Sequence, residues 1–435
     1  MRIGIVPAFD PGYGGVYQYS MTMLHAFSEW KRKACDDEFI VFAEEVAHPT
    51  LQSLNGADWT VKPLVPEHSR FLQKEMKEIM GGLGQIVGDG PHREAWRWLR
   101  RQLQRPRHSN PDLVRCRPDL KRWFEQCGVD LMFYPWPQSV SFETGIPYVM
   151  AIHDLQHRLQ PEFPEVSANG EREYREYLFR NGARHATLLI ADSDVGKEDI
   201  VNFYGSYGVT QQRVKVLPFL PANYLAVDVS ESERQRVRTT YHLPDRYLFY
   251  PAQFWPHKNH ARIIQALALL KTEYHTDVSI VFCGSHSEEI RESTYNKVMS
   301  LRSELGIDCE IHYVGYVPNE DMSALYAGAV ALVMPTFFGP TNIPILEAWA
   351  LGCPVLTSDI RGIREQVADA ALLADPRSVE SIAEGIYRLW TDENLRRTLA
   401  DAGHCRLSKY TPDDFRNRVI EILEEAKDRI RSKAD

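Results

Sequence analysis

Short apolar runs, separated by segments with helical periodicity, recur along the whole chain and constrain its fold most strongly. Seven occur in the first half, at 2–6, 39–43, 59–64, 129–135, 148–154, 187–193 and 213–217. Six follow, at 247–252, 278–284, 311–315, 330–335, 354–358 and 370–374. Runs this apolar, without alternation, are typical of strands buried on both faces of a parallel sheet. Because helices provide the crossovers between such strands, the pattern predicts two doubly wound α/β domains.

Residues 218–246 interrupt this pattern, since they are rich in proline and charge and contain no sustained strand. We therefore predict a first domain over 1–220 and a second over 221–412. The remaining residues, 413–435, predict an amphipathic helix. Its cap is either Thr411 or Asp413, and its apolar stripe contains Phe415, Val419, Ile420, Ile422 and Leu423.

Composition narrows the choice of partners and of compartment. The formal charge of −9 over 435 residues argues against a general binder of polyanions, so no nucleic-acid partner is expected. The seven cysteines are scattered without a CxxC spacing, which is typical of reduced thiols in a cytosol. The start of the chain predicts a strand rather than a signal peptide, and no apolar window is long enough to span a membrane. We therefore expect a cytoplasmic protein.

Residues 66–122 form an insert with little strand pattern. Between 93 and 122 there are ten Lys and Arg but only three Asp and Glu. One helical stripe there carries Trp96, Leu99 and Leu103, with arginines around it. Such a helix either lies on an anionic membrane surface or is a solvated helix that packs one ordinary face on its domain, and the second case is the commoner one.

A glycine-rich turn follows the first predicted strand. Gly12, Gly14 and Gly15 lie between that strand and a predicted helix. Glycine lets a backbone approach a ligand closely, and the N–H groups at a helix N-terminus attract anions. The alternative is a tight turn without a ligand. A dinucleotide-binding GxGxxG pattern is excluded because Tyr17 stands at the third glycine position.

The predicted strand 148–154 ends in two polar residues, His153 and Asp154. In open α/β sheets the C-terminal ends of strands face the ligand crevice. An imidazole there can donate to a sugar hydroxyl or a phosphate, or move a proton near neutral pH. The alternative is a histidine that is satisfied locally at the end of its strand.

Lys258 lies between the predicted strand 247–252 and a helix that Asn259 can cap. A lysine beside a helix N-terminus adds a full charge to a place that already favours anions. The position therefore predicts a diphosphate site. The alternative is an ordinary solvent-exposed lysine.

The segment TFFGPTNIPILEAWALGCPVLTS, residues 336–358, predicts a loop, a helix and a strand. Thr341 or Asn342 can cap the helix. Pro344 suits its first turn, and Gly352 can end it.

Glu347 is expected in the first turn of that helix. An acid there has a simple explanation, since it complements the helix dipole. It also has a functional one, because a fixed carboxylate can accept two hydrogen bonds from a vicinal diol such as a ribose. The loop N–H groups of 340–343 would then face phosphate oxygens.

A DxD pattern, Asp192 to Asp194, can in principle hold a metal with a diphosphate. Here it ends a predicted strand and begins a helix, so a helix cap by Ser193 or Asp194 is the simpler interpretation. We predict no metal site and no cofactor.

Taken in this order, the motifs resemble those of the family 4 glycosyltransferases, which have the GT-B fold of two Rossmann-like domains facing a cleft. The resemblance is strongest over 247–376, which contains YPAQFWPHKNHARIIQALALL, VGYVPNEDMSALYAGA and PTNIPILEAWALGCPVLTSDIRGIREQVADAALLADP. GYGGVYQY and HDLQHRLQPEFP are weaker matches.

The resemblance implies transfer of a hexose from a nucleotide-diphosphate sugar, with retention of the anomeric configuration and without a metal. GDP-mannose or a UDP-hexose would be the donor, and a glycan, polysaccharide or lipid-linked molecule the acceptor. The first domain would hold the acceptor, and the C-terminal helix would cross back to it. A lipid-linked acceptor would bring the basic residues 93–122 to the inner face of a membrane.

The resemblance also implies roles for particular residues. His153 and Asp154 would be catalytic, with His153 at the donor sugar. Lys258 would bind the diphosphate, Val317 the base through its backbone, and Glu347 the ribose. The full donor-binding set is Gly14, Gly15, Gln253, Lys258, Val317, Pro340, Thr341, Asn342, Ile343 and Glu347.

Two positions depart from the family pattern. Gln253 stands where the family often has an arginine, so one phosphate-binding cation is missing. Gly339 stands where the family has an acid near the donor sugar. These departures imply another donor preference, or else a weak or catalytically silent nucleotide-sugar-binding protein. A nucleotide-sugar epimerase of similar fold is a further alternative.

Overall fold

The computed structural model describes residues 1–32, 36–44, 59–65 and 111–434. Within these residues, the first half of the chain forms a sheet of seven parallel strands in the order β3-β2-β1-β4-β5-β6-β7. The strands are β1 Arg2–Ile5, β2 Glu38–Ala43, β3 Thr60–Pro63, β4 Leu131–Tyr134, β5 Tyr148–Ala151, β6 Leu188–Ala191 and β7 Val214–Val216.

A second parallel sheet lies in the part of the chain that is described without a gap, between residues 111 and 434. It has six strands in the order β10-β9-β8-β11-β12-β13. They are β8 Leu248–Pro251, β9 Ile280–Cys283, β10 Ile311–Tyr313, β11 Ala331–Met334, β12 Val355–Ser358 and β13 Leu372–Ala374. Each predicted apolar run coincides with one strand of the two sheets, with β2 beginning one residue before its run, so the prediction of two doubly wound sheets is confirmed.

Helices connect these strands and cover both sheets. Those in the described part of the first half are α1 Gly15–Arg32, α2 Pro118–Gln126, α3 Val140–Glu143, α4 Gln156–Leu159, α5 Pro164–Ser167, α6 Glu171–His185 and α7 Asp194–Tyr204. The second half has α8 Glu231–Thr240, α9 His260–Glu273, α10 Glu289–Glu304, α11 Asn319–Gly328, α12 Ile343–Ala350, α13 Arg361–Val367, α14 Val379–Thr391, α15 Glu393–Leu407 and α16 Pro412–Ala434.

Except for β2, the strands are shorter than the apolar runs that predicted them. β5 stops at Ala151, although the run continues to 154, so His153 and Asp154 lie in the loop that follows. β4, β5 and β6 are buried at every position, as expected for strands covered on both faces. Most strands therefore end before their apolar runs do, and the freed residues lie in the loops at that edge of the sheets.

The C-terminal helix α16 packs on the first sheet. The Thr411 hydroxyl accepts from the Asp414 N–H at 3.2 Å, while the Asp414 carboxylate accepts from the Thr411 N–H at 2.9 Å, so Thr411 and not Asp413 is the cap. Phe415, Val419, Ile422 and Leu423 are buried in one core with strands of the first sheet, and Ile420 is partly buried beside it. The domain limits 1–220, 221–412 and 413–435 stay predictions.

Most of the insert, residues 66–110, lies outside the described residues. Its remainder ends in α2, which buries Leu120 and Phe124. None of the helices that the structure describes is long and apolar enough to cross a membrane.

Candidate functional site

A cavity of about 530 Å³ opens between the C-terminal ends of the two sheets. Loops after β1, β5, β6 and β7 form one wall, and loops after β8 and β11 form the other together with the start of α10. Ten of the predicted site residues line it, namely Gly14, Gly15, His153, Asp154, Gln253, Lys258, Pro340, Thr341, Asn342 and Ile343. Val317 and Glu347 do not.

The glycine-rich turn lies on the first wall. The Asp10 carboxylate accepts from the Gly12 N–H at 2.8 Å, and a short turn over Pro11–Tyr13 leads into α1. Gly14 has φ 56°, a left-handed conformation that glycine adopts without steric cost. The side-chain amide of Gln253, on the opposite wall, donates to the Gly12 carbonyl at 3.1 Å. This bond joins the two walls.

His153 is held by a backbone carbonyl. Its Nε2 lies 2.8 Å from the Pro135 oxygen, and its ring meets Tyr19 edge-on with ring centroids 4.5 Å apart. Burial lowers the pKa of His153, which favours the neutral ring. Because Nε2 carries the proton that the carbonyl accepts, the neutral ring presents Nδ1 as an acceptor rather than a donor. The expected donation to a hydroxyl or phosphate is therefore not available to Nε2 in this arrangement.

Asp154 is oriented by its neighbours. Its Oδ1 accepts from the Gln156 N–H at 3.0 Å and lies 3.9 Å from Nη1 of Arg175. Arg175 also pairs with Glu171 at 3.1 Å. Arg175 lines the cavity too, so this wall carries both signs of charge.

Lys258 lies on the second wall, at the end of a short turn that precedes α9. Its amine forms no hydrogen bond or ion pair with any residue that the structure describes. Burial lowers its pKa to about 8, against the opposing influence of Asp154 and Glu165. Lys258 is thus a partly desolvated amine that borders the cavity and lacks a fixed partner.

Asn259 does not cap α9 through its side chain, so this prediction is wrong. The residue has φ 62°, and its amide donates to the carbonyls of Pro335 and Pro376 at 2.8 Å each. These two bonds occupy the side chain and instead tie the Lys258 turn to two other loops of the second sheet.

Two pairs of side chains join the walls and were not predicted. Nδ1 of His257 lies 2.7 Å from Oε1 of Glu165, and both side chains are largely buried. The Thr341 hydroxyl donates to the Asp192 carboxylate, whose pKa burial raises to about 7. Both pairs connect residues that are far apart in sequence, so no local pattern reveals them. Within the DxD pattern Ser193 caps α7, since its hydroxyl accepts from the N–H of the third residue beyond it at 3.0 Å.

Glu347 departs furthest from expectation. It is the fifth residue of α12 rather than part of its first turn, so the dipole explanation is wrong. The residue is only 4% exposed, and burial raises its pKa. Oε1 accepts from the Tyr224 phenol at 2.8 Å and Oε2 from the Tyr326 phenol at 2.6 Å. Both carboxylate oxygens are therefore occupied behind the cavity wall.

The start of α12 also differs from the prediction. Neither Thr341 nor Asn342 makes a side-chain capping bond. The Asn342 N–H instead donates to the side-chain oxygen of Gln366 at 2.9 Å. Pro344 lies in the first turn and Gly352, with φ 66°, follows the end of the helix, so both of these predictions are confirmed.

Gly339 has a physical reason to be glycine. Its φ is 140°, which side-chain-bearing residues rarely adopt. A Cβ atom there would lie 2.5 Å from Nδ2 of Asn342. An acid at 339 would therefore require both a strained backbone and a displaced Asn342.

Val317 is 6% exposed and belongs to the hydrophobic core of the second sheet, which explains its absence from the cavity. Two further residues on the second wall, Trp255 and Arg291, were not predicted. Among the described residues, no group of three His, Cys, Asp or Glu side chains is arranged to hold a metal ion.

Comparison with known proteins finds a family model that matches part of the chain. Residues 231–405 match the family model described as "Glycosyl transferases group 1". This part of the chain is similar to the group 1 glycosyltransferases. The prediction of that family is confirmed, and the match supports the prediction of a glycosyltransferase enzyme.

Relatives of known name cover part of the chain. O-antigen chain mannosyltransferase B of Escherichia coli is 28% identical over 262 residues, which is 59% of this chain and 65% of that protein. Serotype-specific mannosyltransferase WbdA of Escherichia coli is 22% identical over 264 residues, 60% of this chain. The chain thus spans 65% of the first relative's length and 30% of the second's.

Solved structures match the fold over almost the whole chain. Anabaena Alr3699/HepE in complex with UDP and glucose has a TM-score of 0.67 at 18% identity, covering 98% of this chain and 99% of that one. WaaG, a glycosyltransferase involved in lipopolysaccharide biosynthesis, has a TM-score of 0.63 at 16% identity, covering 97% and 99%. The predicted GT-B fold is confirmed.

Proposed function

We propose that the protein is a retaining glycosyltransferase that moves a hexose from a nucleotide-diphosphate sugar to a glycan, polysaccharide or lipid-linked acceptor. GDP-mannose is the first donor to test, because two relatives are named mannosyltransferases. A UDP-hexose is the second, since HepE was crystallised with UDP and glucose.

Lys258 is the observation that carries this proposal. Its amine, which has no partner in the described part of the chain, borders the cavity two residues before α9 begins, where backbone N–H groups and the helix dipole already favour an anion. Negative charge grows on the diphosphate as the bond to C1 of the sugar breaks. A fixed cation at that place stabilises the transition state more than the ground state. We propose a metal-independent reaction because the positive charge of Lys258 would stabilise the leaving diphosphate in place of a metal ion.

The opposite wall would hold the sugar and the acceptor. In the reaction the acceptor oxygen bonds to C1, the C1–O bond to the diphosphate breaks, and the hydroxyl proton leaves with the diphosphate. Nδ1 of His153 would accept a hydrogen bond from a hydroxyl of the donor sugar. Asp154, the second residue predicted to be catalytic, lines the cavity beside it. Gly14 and Gly15 let the backbone approach the phosphate or the acceptor.

The ribose role of Glu347 requires a rearrangement. Tyr224, which occupies Oε1, lies in the connection between the last strand of the first sheet and α8. We propose that the nucleoside takes the place of this phenol on Glu347. Nucleotide binding would then be coupled to the connection between the two sheets.

Product analysis with a panel of nucleotide sugars and acceptors tests the proposed function. The expected result is release of a nucleoside diphosphate with a glycosidic product of the donor's anomeric configuration, undiminished by a metal chelator. An inverted product or a chelator-sensitive reaction would contradict the retaining or the metal-independent part. An epimerised sugar would favour the epimerase alternative, and binding without turnover would favour a silent nucleotide-sugar-binding protein.

Peripheral contact of residues 93–122 with an anionic membrane is proposed on the basis of their charge alone. Sedimentation with liposomes measures it, with and without an anionic lipid. Stronger sedimentation with the anionic lipid is expected. Equal partitioning into both kinds of vesicle would contradict the proposal.

A further inference from the structure

We propose that Arg291 supplies the second diphosphate-binding cation that position 253 lacks. This inference rests on the proposed function, since it assigns a further binding residue to the same cavity. The residue lies 38 positions beyond Gln253, near the start of α10, so the family's local pattern does not point to it.

Topology brings Arg291 and Lys258 to one place. Lys258 follows β8, Arg291 follows β9, and these two strands are parallel neighbours in the second sheet. The C-terminal ends of neighbouring parallel strands lie at the same edge of a sheet. Both residues line the cavity, together with the glycine-rich turn on the opposite wall.

The charge of Arg291 is buried and poorly compensated. The residue is 5% exposed. Nη2 lies 2.9 Å from Oε1 of Glu288, a side chain that is itself 65% exposed. Nε has no hydrogen-bond partner among the described residues. A buried guanidinium is costly unless it is paired, and a solvated carboxylate offsets little of that cost. The remaining positive charge lies at the cavity wall.

Gln253 helps to hold this arginine in place. The Arg291 guanidinium stacks on the indole of Trp255, with Cζ 4.9 Å from the ring centroid. The indole N–H donates to Oε1 of Gln253 at 2.9 Å, and the Gln253 amide donates in turn to Gly12. An arginine at 253 has no acceptor for the indole N–H. The glutamine therefore links the stacked Trp255 and Arg291 to the glycine-rich turn, which the family's arginine could not do.

A guanidinium suits a diphosphate better than a second lysine would. Its planar fork can donate two parallel hydrogen bonds to phosphate oxygens, and stacking on an aromatic ring fixes its plane. Lys258 contributes a point charge from the neighbouring loop. Together the two would recognise the diphosphate of the donor rather than its base or its sugar.

Calorimetric titration with UDP, UMP and uridine, and with GDP, GMP and guanosine, tests the inference. Arg291→Ala and Arg291→Gln are expected to weaken binding of the diphosphate by about tenfold or more, the size of a lost charge-assisted hydrogen bond. Binding of the nucleoside should be unchanged. Lys297→Ala is the matched control, because it removes the same charge from an exposed position of α10. Thermal unfolding without ligand checks that each variant is folded.

The outcomes separate this inference from the proposed function. If Arg291→Gln behaves like Lys297→Ala while Lys258→Ala loses diphosphate affinity, the inference is wrong and the function stands. If the Arg291 variants lose affinity for diphosphate and nucleoside equally, Arg291 is only structural. If the wild-type protein binds neither nucleoside diphosphate, both proposals are overturned.

Discussion

Two strand-to-helix connections in the second sheet were predicted to bind the donor, and they differ in how they present their charged residue. One runs from β8 to α9 and ends in Asn259, and the other runs from β11 to α12 and ends in Asn342. In both, the asparagine precedes the helix without a side-chain capping bond. The first presents Lys258 to the cavity, whereas the acid of the second, Glu347, is buried and paired with two phenols.

The difference comes from position relative to the helix start. Lys258 precedes the first helical residue and stays in the loop at the sheet edge. Glu347 follows Ile343 by four residues, so both lie on one face of α12, but Glu347 is a full turn deeper. Ile343 lines the cavity and Glu347 lies behind it. A charge before a helix is thus available to a ligand at once, whereas a charge one turn inside is available only after its partners move.

The largest expected effect in this comparison is that of Lys258→Ala. It should lower the rate of transfer by about 100-fold or more, the cost of losing a preorganised group that stabilises developing charge. The rate of nucleoside diphosphate release measures it. Lys297→Ala serves as control, and a Lys258→Ala enzyme as fast as that control would mean that the first connection does not bind the diphosphate.

Glu347 should respond differently to two substitutions. Glu347→Ala leaves the phenols of Tyr224 and Tyr326 without an acceptor, which costs about 1–3 kcal/mol of unfolding free energy for each buried group. Glu347→Gln keeps one acceptor oxygen, so this variant should have a higher free energy of unfolding than Glu347→Ala. If Glu347 reaches the ribose, Glu347→Gln weakens nucleoside binding by about tenfold. Unchanged nucleoside affinity would show that the carboxylate is structural.

Diphosphate affinity should depend on pH through Lys258. Because burial lowers the pKa of this amine to about 8, the amine is charged below pH 8 and neutral above it. Affinity for UDP or GDP should therefore be highest below pH 8 and fall as the pH rises toward 10, by up to about tenfold per unit. Lys258→Arg should remove this dependence, since arginine stays charged. The same slope in both proteins would assign the titration to another group.

The smallest expected effect concerns Gly339 in the second connection. Gly339→Ala forces a side chain into a φ of 140° and toward Asn342, at a cost of about 1–3 kcal/mol. Thermal unfolding should show the loss. Gly352→Ala, at a φ of 66° with nothing within 4 Å of the added Cβ, measures the cost of an ordinary left-handed backbone without a contact. If both variants are equally stable, neither the φ of 140° nor the contact with Asn342 excludes a side chain at 339.

Local pattern was sufficient for the strands and for the loops that follow them. Buried apolar runs gave the strands, and residues just beyond a run, such as His153 and Lys258, were correctly expected at the sheet edge. The side-chain contacts of Glu347, Arg291 and Glu165 could not be predicted, because each is made with a residue far away in the chain. Glu347 accepts a hydrogen bond from Tyr224, Arg291 stacks on Trp255, and Glu165 pairs with His257.

The central claim is that the connection after β8 binds the diphosphate of the donor, and it can be tested by one titration. The quantity is the difference in binding free energy between a nucleoside diphosphate and its nucleoside, measured for the wild-type protein and for Lys258→Ala at pH 7. The diphosphate should contribute strongly to the binding free energy in the wild-type protein and much less in the variant, while the affinity for the nucleoside stays the same. An equal diphosphate contribution in both proteins would contradict the account.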